Sequence, residues 1–125
     1  MTKKVLIAED EESILVSLEF LMRNDGYEVR VATRGDELLA CIEDFLPDLI
    51  LLDVMLPRRN GFELCMDIRA NAAWSAMKII MISAKGREAE VQRGLDTGAD
   101  AYVTKPFSTS ELREQVQRLI DGGRQ

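Results

Sequence analysis

Histidine is absent from this 125-residue chain. That absence removes serine–histidine–aspartate hydrolysis, imidazole metal ligands and the commonest general base together. Any chemistry must run on carboxylates, hydroxyls, lysines or a metal ion. Cysteine is scarce as well. Cys41 and Cys65 stand far apart with no C-x-x-C spacing, so neither a zinc site nor a dithiol pair is indicated, and both read as reduced thiols on helices. Basic charge is outweighed, 16 Lys and Arg against 22 Asp and Glu, and the net charge of −6 argues against direct binding to nucleic acid. No apolar run is long enough to span a membrane. The opening MTKKVLIAEDEE has a short apolar stretch that meets acids at once, unlike a signal peptide. These features predict a cytoplasmic protein with no membrane partner. The length suits one domain, residues 1–125, and the 46% hydrophobic and 30% charged fractions suit a packed core.

Two hydrophobic periods alternate along the chain. Val5–Ala8, Leu49–Leu52 and Ile79–Ile82 are continuous apolar runs, as strands buried on both faces require. Tyr27–Ala32 and Ala101–Thr104 read as two more strands. Between and after them, helical spacing predicts helices over Ser13–Asn24, Asp36–Phe45, Phe62–Ala70, Arg87–Thr97 and a last one opened by Ser108. Asp25-Gly26, Pro47, Asn60-Gly61, Gly98 and Gly122-Gly123 punctuate them, and Ser108 with Glu111 forms a candidate capping box. Strand–helix repeated five times predicts an α/β protein with a doubly wound parallel sheet. Phe20, Phe45, Met66 and Met77 read as core, Trp74 as a packed or half-exposed loop residue.

In an open parallel sheet, ligands bind outside the carboxyl ends of the strands. Glu9, Asp10, Glu11 and Glu12 follow the first strand, Asp53 ends the third, Ser83 the fourth and Lys105 the fifth. Each has a plain alternative: Asp10 as a helix cap, Ser83 as a cap, Lys105 as a solvated loop lysine. Their coincidence on one edge favours a site. The acidic first loop repels phosphate and argues against dinucleotide or flavin binding. Crowded carboxylates need a counter-charge. Oxygen-only ligands suit a hard divalent ion, and magnesium takes one or two carboxylates plus waters and a phosphoryl oxygen. With that ion, Asp53 can act as a carboxylate nucleophile, while Lys105 and Ser83 stabilise the phosphoryl oxygens. Without histidine, hydrolysis lacks a strong base, so the acyl phosphate persists and the chain is no enzyme in the turnover sense. A phosphatase with an aspartate nucleophile is the enzyme rival. It wants a second acid two residues on, where Met55 stands.

The ordered set VLIAEDE, LILLDVMLPRRNGFEL, IIMISAKG and GADAYVTKPF resembles the response-regulator receiver domains of two-component signalling, chemotaxis regulators included, over essentially the whole chain. The resemblance implies a flavodoxin-like five-stranded sheet in the order 2-1-3-4-5. It implies Asp53 as phosphoacceptor, with Glu9, Asp10, Asp53 and the main-chain carbonyl of Met55 as magnesium ligands. It makes Ser83 the switch hydroxyl, Tyr102 the aromatic that turns inward with it, and Lys105 the partner of the phosphoryl group, with a cis Lys105–Pro106 bond. Lys85 and Met55 border the pocket and tune phosphoryl lifetime. The implied partners are a sensor histidine kinase or histidine phosphotransfer protein as donor and a downstream effector protein or domain. The output face comprises residues 87–97, 102–104 and the last helix. Glu9 stands where many members have aspartate. Ala101 stands where receivers with winged-helix domains carry an acid, which weakens the case for a phosphorylation-dependent homodimer. Arg58 and Arg59 are either a solvated loop or a contact for an acidic partner. A degenerate receiver that binds partners without taking phosphate is the remaining alternative.

Overall fold

The computed structural model describes residues 2–84 and 88–122. The elements run β1 (Lys4–Ala8), α1 (Glu12–Asn24), β2 (Glu28–Ala32), α2 (Gly35–Phe45), β3 (Leu49–Asp53), α3 (Gly61–Ala70), a 3-10 turn (Ala72–Trp74), β4 (Lys78–Ala84), α4 (Glu88–Asp96), β5 (Ala101–Lys105) and α5 (Thr109–Asp121). The sheet order is β2-β1-β3-β4-β5 and every pairing is parallel, as the alternating pattern implies.

Alternation along the strands divides the core between two faces. Leu49 and Leu51 of β3, with Val5 and Ile7 of β1, meet Leu18 and Met22 of α1 and Leu112 and Val116 of α5. Ile50 and Leu52, with Leu6 and Ala8, meet Leu38 and Ile42 of α2 and Leu64 and Ile68 of α3. Both faces of β3 are therefore covered, which is why its sequence is apolar throughout until Asp53.

Helix ends follow local chemistry. Asn60 Oδ1 accepts a hydrogen bond from the Glu63 amide at 2.9 Å and opens α3. Ser108 Oγ accepts from the Glu111 amide at 3.3 Å, the serine half of the expected capping box. Glu11, not Asp10, stands at the N-cap of α1, which removes the plain reading of Asp10. Two core assignments are corrected: Phe20 is 67% exposed and Met66 57% exposed. Each lies on the outer side of its helix, because α1 rests on the sheet through Leu18 and Met22, and α3 through Leu64, Cys65 and Ile68. Phe45 and Met77 are buried as expected. Trp74 belongs to the 3-10 turn and packs half-buried against the α2–α3 face of the core. Cys41 and Cys65 are both free thiols on helices. Lys85, Arg87 and the segment after Gly122 lie outside the described residues.

Candidate phosphoacceptor and metal site

A parallel sheet delivers all its strand C-termini to one edge, and the register decides their heights. Asp53 is opposite Ile82 of β4, whereas Lys105 is opposite Ala84, two residues further along the same strand. Lys105 therefore overhangs the end of β3, and its ammonium comes down to 3.5 Å from Asp53 Oδ2. It also lies 3.4 Å from Glu9 Oε1 and 3.8 Å from Glu11 Oε1. The Lys105–Pro106 peptide bond is cis. Ser83 of β4 is buried beside Thr104 of β5 in the register.

Carboxylate oxygens of Glu9, Asp10 and Asp53 lie within 4.8 Å of one another. Their surroundings differ. Glu9 and Asp53 are buried, and Asp10 is exposed. Asp53 Oδ1 accepts from the Met55 amide at 3.0 Å, and Glu9 Oε2 from the Glu11 amide at 3.0 Å. Glu9 Oε1 is buried and, among the described residues, has no hydrogen-bond partner. Burial pushes the Glu9 carboxyl up to about 7; the Glu11 amide opposes this, Asp53 adds to it and Lys105 opposes it. For Lys105, burial acts to lower the pKa, but the Asp53 and Glu9 carboxylates outweigh it and hold the ammonium above its ordinary value. The site thus combines two buried acids, a third at the rim and a fixed positive charge. Met55, beside Asp53, is 71% exposed at the mouth of the site.

The loop after β3 returns tightly. The Gly61 amide donates to the Val54 carbonyl at 2.8 Å, and a Cβ at Gly61 would fall 2.8 Å from the Asp53 carbonyl oxygen and 2.9 Å from Val54 Cα. Backbone cannot rotate aside as a side chain can. Gly61→Ala is therefore expected to destabilise the protein by about 1–3 kcal/mol in urea titration, and a neutral result would show that α3 can back away from β3. Sequence reasoning read Gly61 only as a turn signal. It missed the packing role because the close neighbour is the end of β3, at Asp53 and Val54, which only the folded return of the loop brings there.

Arg59 is ion-paired within the chain, to Asp67 at 2.5 Å and to Glu63 at 3.9 Å, and a Cβ at Gly35 would meet its backbone oxygen at 2.7 Å. Arg59 is thus held by acids of α3 rather than freely solvated, while Arg58 is exposed at a φ of 79°. Sequence reasoning also missed Arg69. It donates to the carbonyls of Gly98 at 2.8 Å and Met77 at 2.7 Å and pairs with Asp100 at 2.7 Å, pinning the α4–β5 connection to α3.

A doubly wound parallel sheet with its polar groups gathered at the carboxyl edge is the architecture of the flavodoxin-like α/β proteins. Within that class the chain belongs to the response regulator receiver domain family, whose model matches residues 5–117. The phosphate regulon transcriptional regulatory protein PhoB of Rhizobium meliloti (strain 1021) is 44% identical over 120 residues, 96% of this chain and 53% of that protein. The chain spans about half the length of the curated relatives it matches. The structure of the chemotaxis response regulator CheY4 of Vibrio cholerae superposes with a TM-score of 0.88 at 30% identity, covering 95% of this chain and 99% of that one. The receiver domain of the sensor histidine kinase PA1611 of Pseudomonas aeruginosa PAO1 has a magnesium ion coordinated in its active site cleft. It superposes with a TM-score of 0.87 at 28% identity, over 96% of this chain and 98% of that one. Among the described residues, no helix is long and apolar enough to cross a membrane.

Proposed function

We propose that the chain is a phosphorylation-dependent switch in which Asp53 takes a phosphoryl group from a phosphohistidine on a sensor histidine kinase or histidine phosphotransfer protein. The observation that carries this reading is the Asp53 carboxylate, buried at a strand end with the Lys105 ammonium 3.5 Å from Oδ2. An Asp53 oxygen attacks phosphorus, the O–P bond forms, and the P–N bond to the donor imidazole breaks. Lys105 meets the added phosphoryl charge, and the Ser83 hydroxyl donates to a phosphoryl oxygen.

The donor set fits magnesium. All candidate ligands are oxygens, three carboxylates converge, and one buried oxygen, Glu9 Oε1, accepts no hydrogen bond from the described residues. Glu9, Asp10, Asp53 and the Met55 carbonyl would hold the ion. When bound, it neutralises carboxylate and phosphoryl charge at the site. The chain turns over no outside substrate: it accepts a phosphoryl group and loses it slowly to water. The added charge then draws Ser83 and Lys105 toward the phosphoryl group and favours the inward position of the Tyr102 ring, and the surface of α4, β5 and α5 changes its affinity for a downstream effector.

Intact-mass spectrometry after incubation with acetyl phosphate tests this. One phosphoryl adduct is expected with magnesium and essentially none after chelation. Absence of any adduct, under conditions that label a control receiver, would leave a partner-binding domain that works without phosphate.

A further inference from the structure

Glycine is the poorest helix former after proline, yet Gly94 lies buried within α4 and has no positive φ to demand it. Space explains it. A Cβ at Gly94 would fall 2.8 Å from Cε2 and 2.9 Å from Cδ2 of Tyr102. The tyrosine ring lies across the helix where a side chain at 94 would stand. The Tyr102 hydroxyl oxygen is buried, so the ring is turned inward, against the α2–α3 face of the core.

The helix cannot easily yield. Its C-terminal end is held to α3 by the Arg69 hydrogen bond to the Gly98 carbonyl and by the Cys65 thiol, which donates to the Thr97 carbonyl at 3.4 Å. The Arg93 guanidinium stacks over the Phe62 ring, 4.4 Å from its centroid. The ring of Tyr102, by contrast, can rotate about two side-chain bonds. A methyl at 94 would therefore move the ring and leave the helix in place.

We infer that Gly94 is a positioning residue: it provides the seat on α4 that the inward Tyr102 ring occupies, and its lack of a side chain sets how readily that ring turns in. The link to signalling output rests on the switch function proposed above. The seat itself is a property of the unmodified protein.

The test is Gly94→Ala in two backgrounds, native Tyr102 and Tyr102→Ala. With the ring removed, alanine at 94 should raise the urea midpoint, because only helix propensity changes. With the ring present, the midpoint should stay level or fall. In 3-fluorotyrosine-labelled protein, the Tyr102 fluorine resonance should move in Gly94→Ala and gain a solvent isotope shift, while that of Tyr27, the other tyrosine, stays put. Addition of beryllofluoride with magnesium should then leave the Tyr102 resonance of Gly94→Ala short of the position it takes in the parent. The same rise in midpoint in both backgrounds, with an unmoved fluorine resonance, overturns the inference. Acetyl phosphate labelling of the parent keeps the two readings apart. A parent that takes no label overturns the switch and its link to Gly94, whereas the seat is judged by the midpoints in unmodified protein.

Discussion

Asp53→Asn is expected to take no phosphoryl group from acetyl phosphate and, at the same time, to be more stable than the parent above pH 7. The first effect is a complete loss of adduct, since an amide oxygen is no nucleophile for phosphorus under conditions where a carboxylate is. The second follows from Glu9. Its carboxyl is raised from 4.5 to about 7 by burial first, with Asp53 adding to the rise. Between those values the folded protein holds a proton that the unfolded chain releases, so this group's contribution to stability falls as pH rises from 4.5 to 7. Above that window the full cost of an ionised, buried Glu9 is felt. Replacing the Asp53 charge by a neutral amide lessens it, by on the order of 1 kcal/mol, since one pKa unit is about 1.4 kcal/mol. The gain should fade as pH falls toward 4.5. Urea titrations of both proteins at pH 8 and pH 5, with a chelator present, measure it. An adduct on the asparagine variant would place the phosphoacceptor elsewhere. An equal stability difference at both pH values would mean that Asp53 does not burden Glu9.

Lys105→Met is expected to lose about 2–3 kcal/mol of stability at pH 8 in the absence of divalent ions. Among the described residues, the Lys105 ammonium is the positive charge that faces both buried carboxylates, at 3.4 Å from Glu9 and 3.5 Å from Asp53. Removing it leaves those charges in a poorly solvated site without its compensation, a larger penalty than loss of a surface pair. Lys105 also lowers the Glu9 pKa, so its removal drives Glu9 toward the protonated form. Below the Glu9 pKa that proton is already bound, and the loss should shrink as pH falls toward 5. A variant as stable as the parent at pH 8 would show that the carboxylates are solvated without the ammonium.

How much of this was legible in the sequence depends on the range of the interaction. The five strands and five helices lie within a residue or two of where hydrophobic period and turn residues predict them along the described chain. Period and punctuation are local properties that tertiary packing confirmed here. The facing of helices was harder. In α1, apolar residues at 14, 15, 16, 18, 20, 21 and 22 occupy much of the circumference, so the pattern alone does not select the buried arc. Packing on the sheet through Leu18 and Met22 leaves Val16 and Phe20 in solvent. Arg69 carried no signal at all, because its partners Asp100 and Gly98 lie 31 and 29 residues away.

By itself, the sequence determined that this is an alternating α/β protein with carboxylates, a hydroxyl and a lysine at strand ends, and that it has no histidine of its own to offer. A parallel sheet sends those ends to one edge whatever the details of packing. Only the tertiary structure decided the rest. Strand register sets Lys105 two residues above Asp53 and so aims its ammonium into the acid cluster. Burial, a sum over every element packed around Glu9, moves that carboxyl to about 7. The close approach of α4 to β5 makes Gly94 the seat of Tyr102. Distances and burial depend on groups far apart in the chain, and no local pattern of residues encodes them.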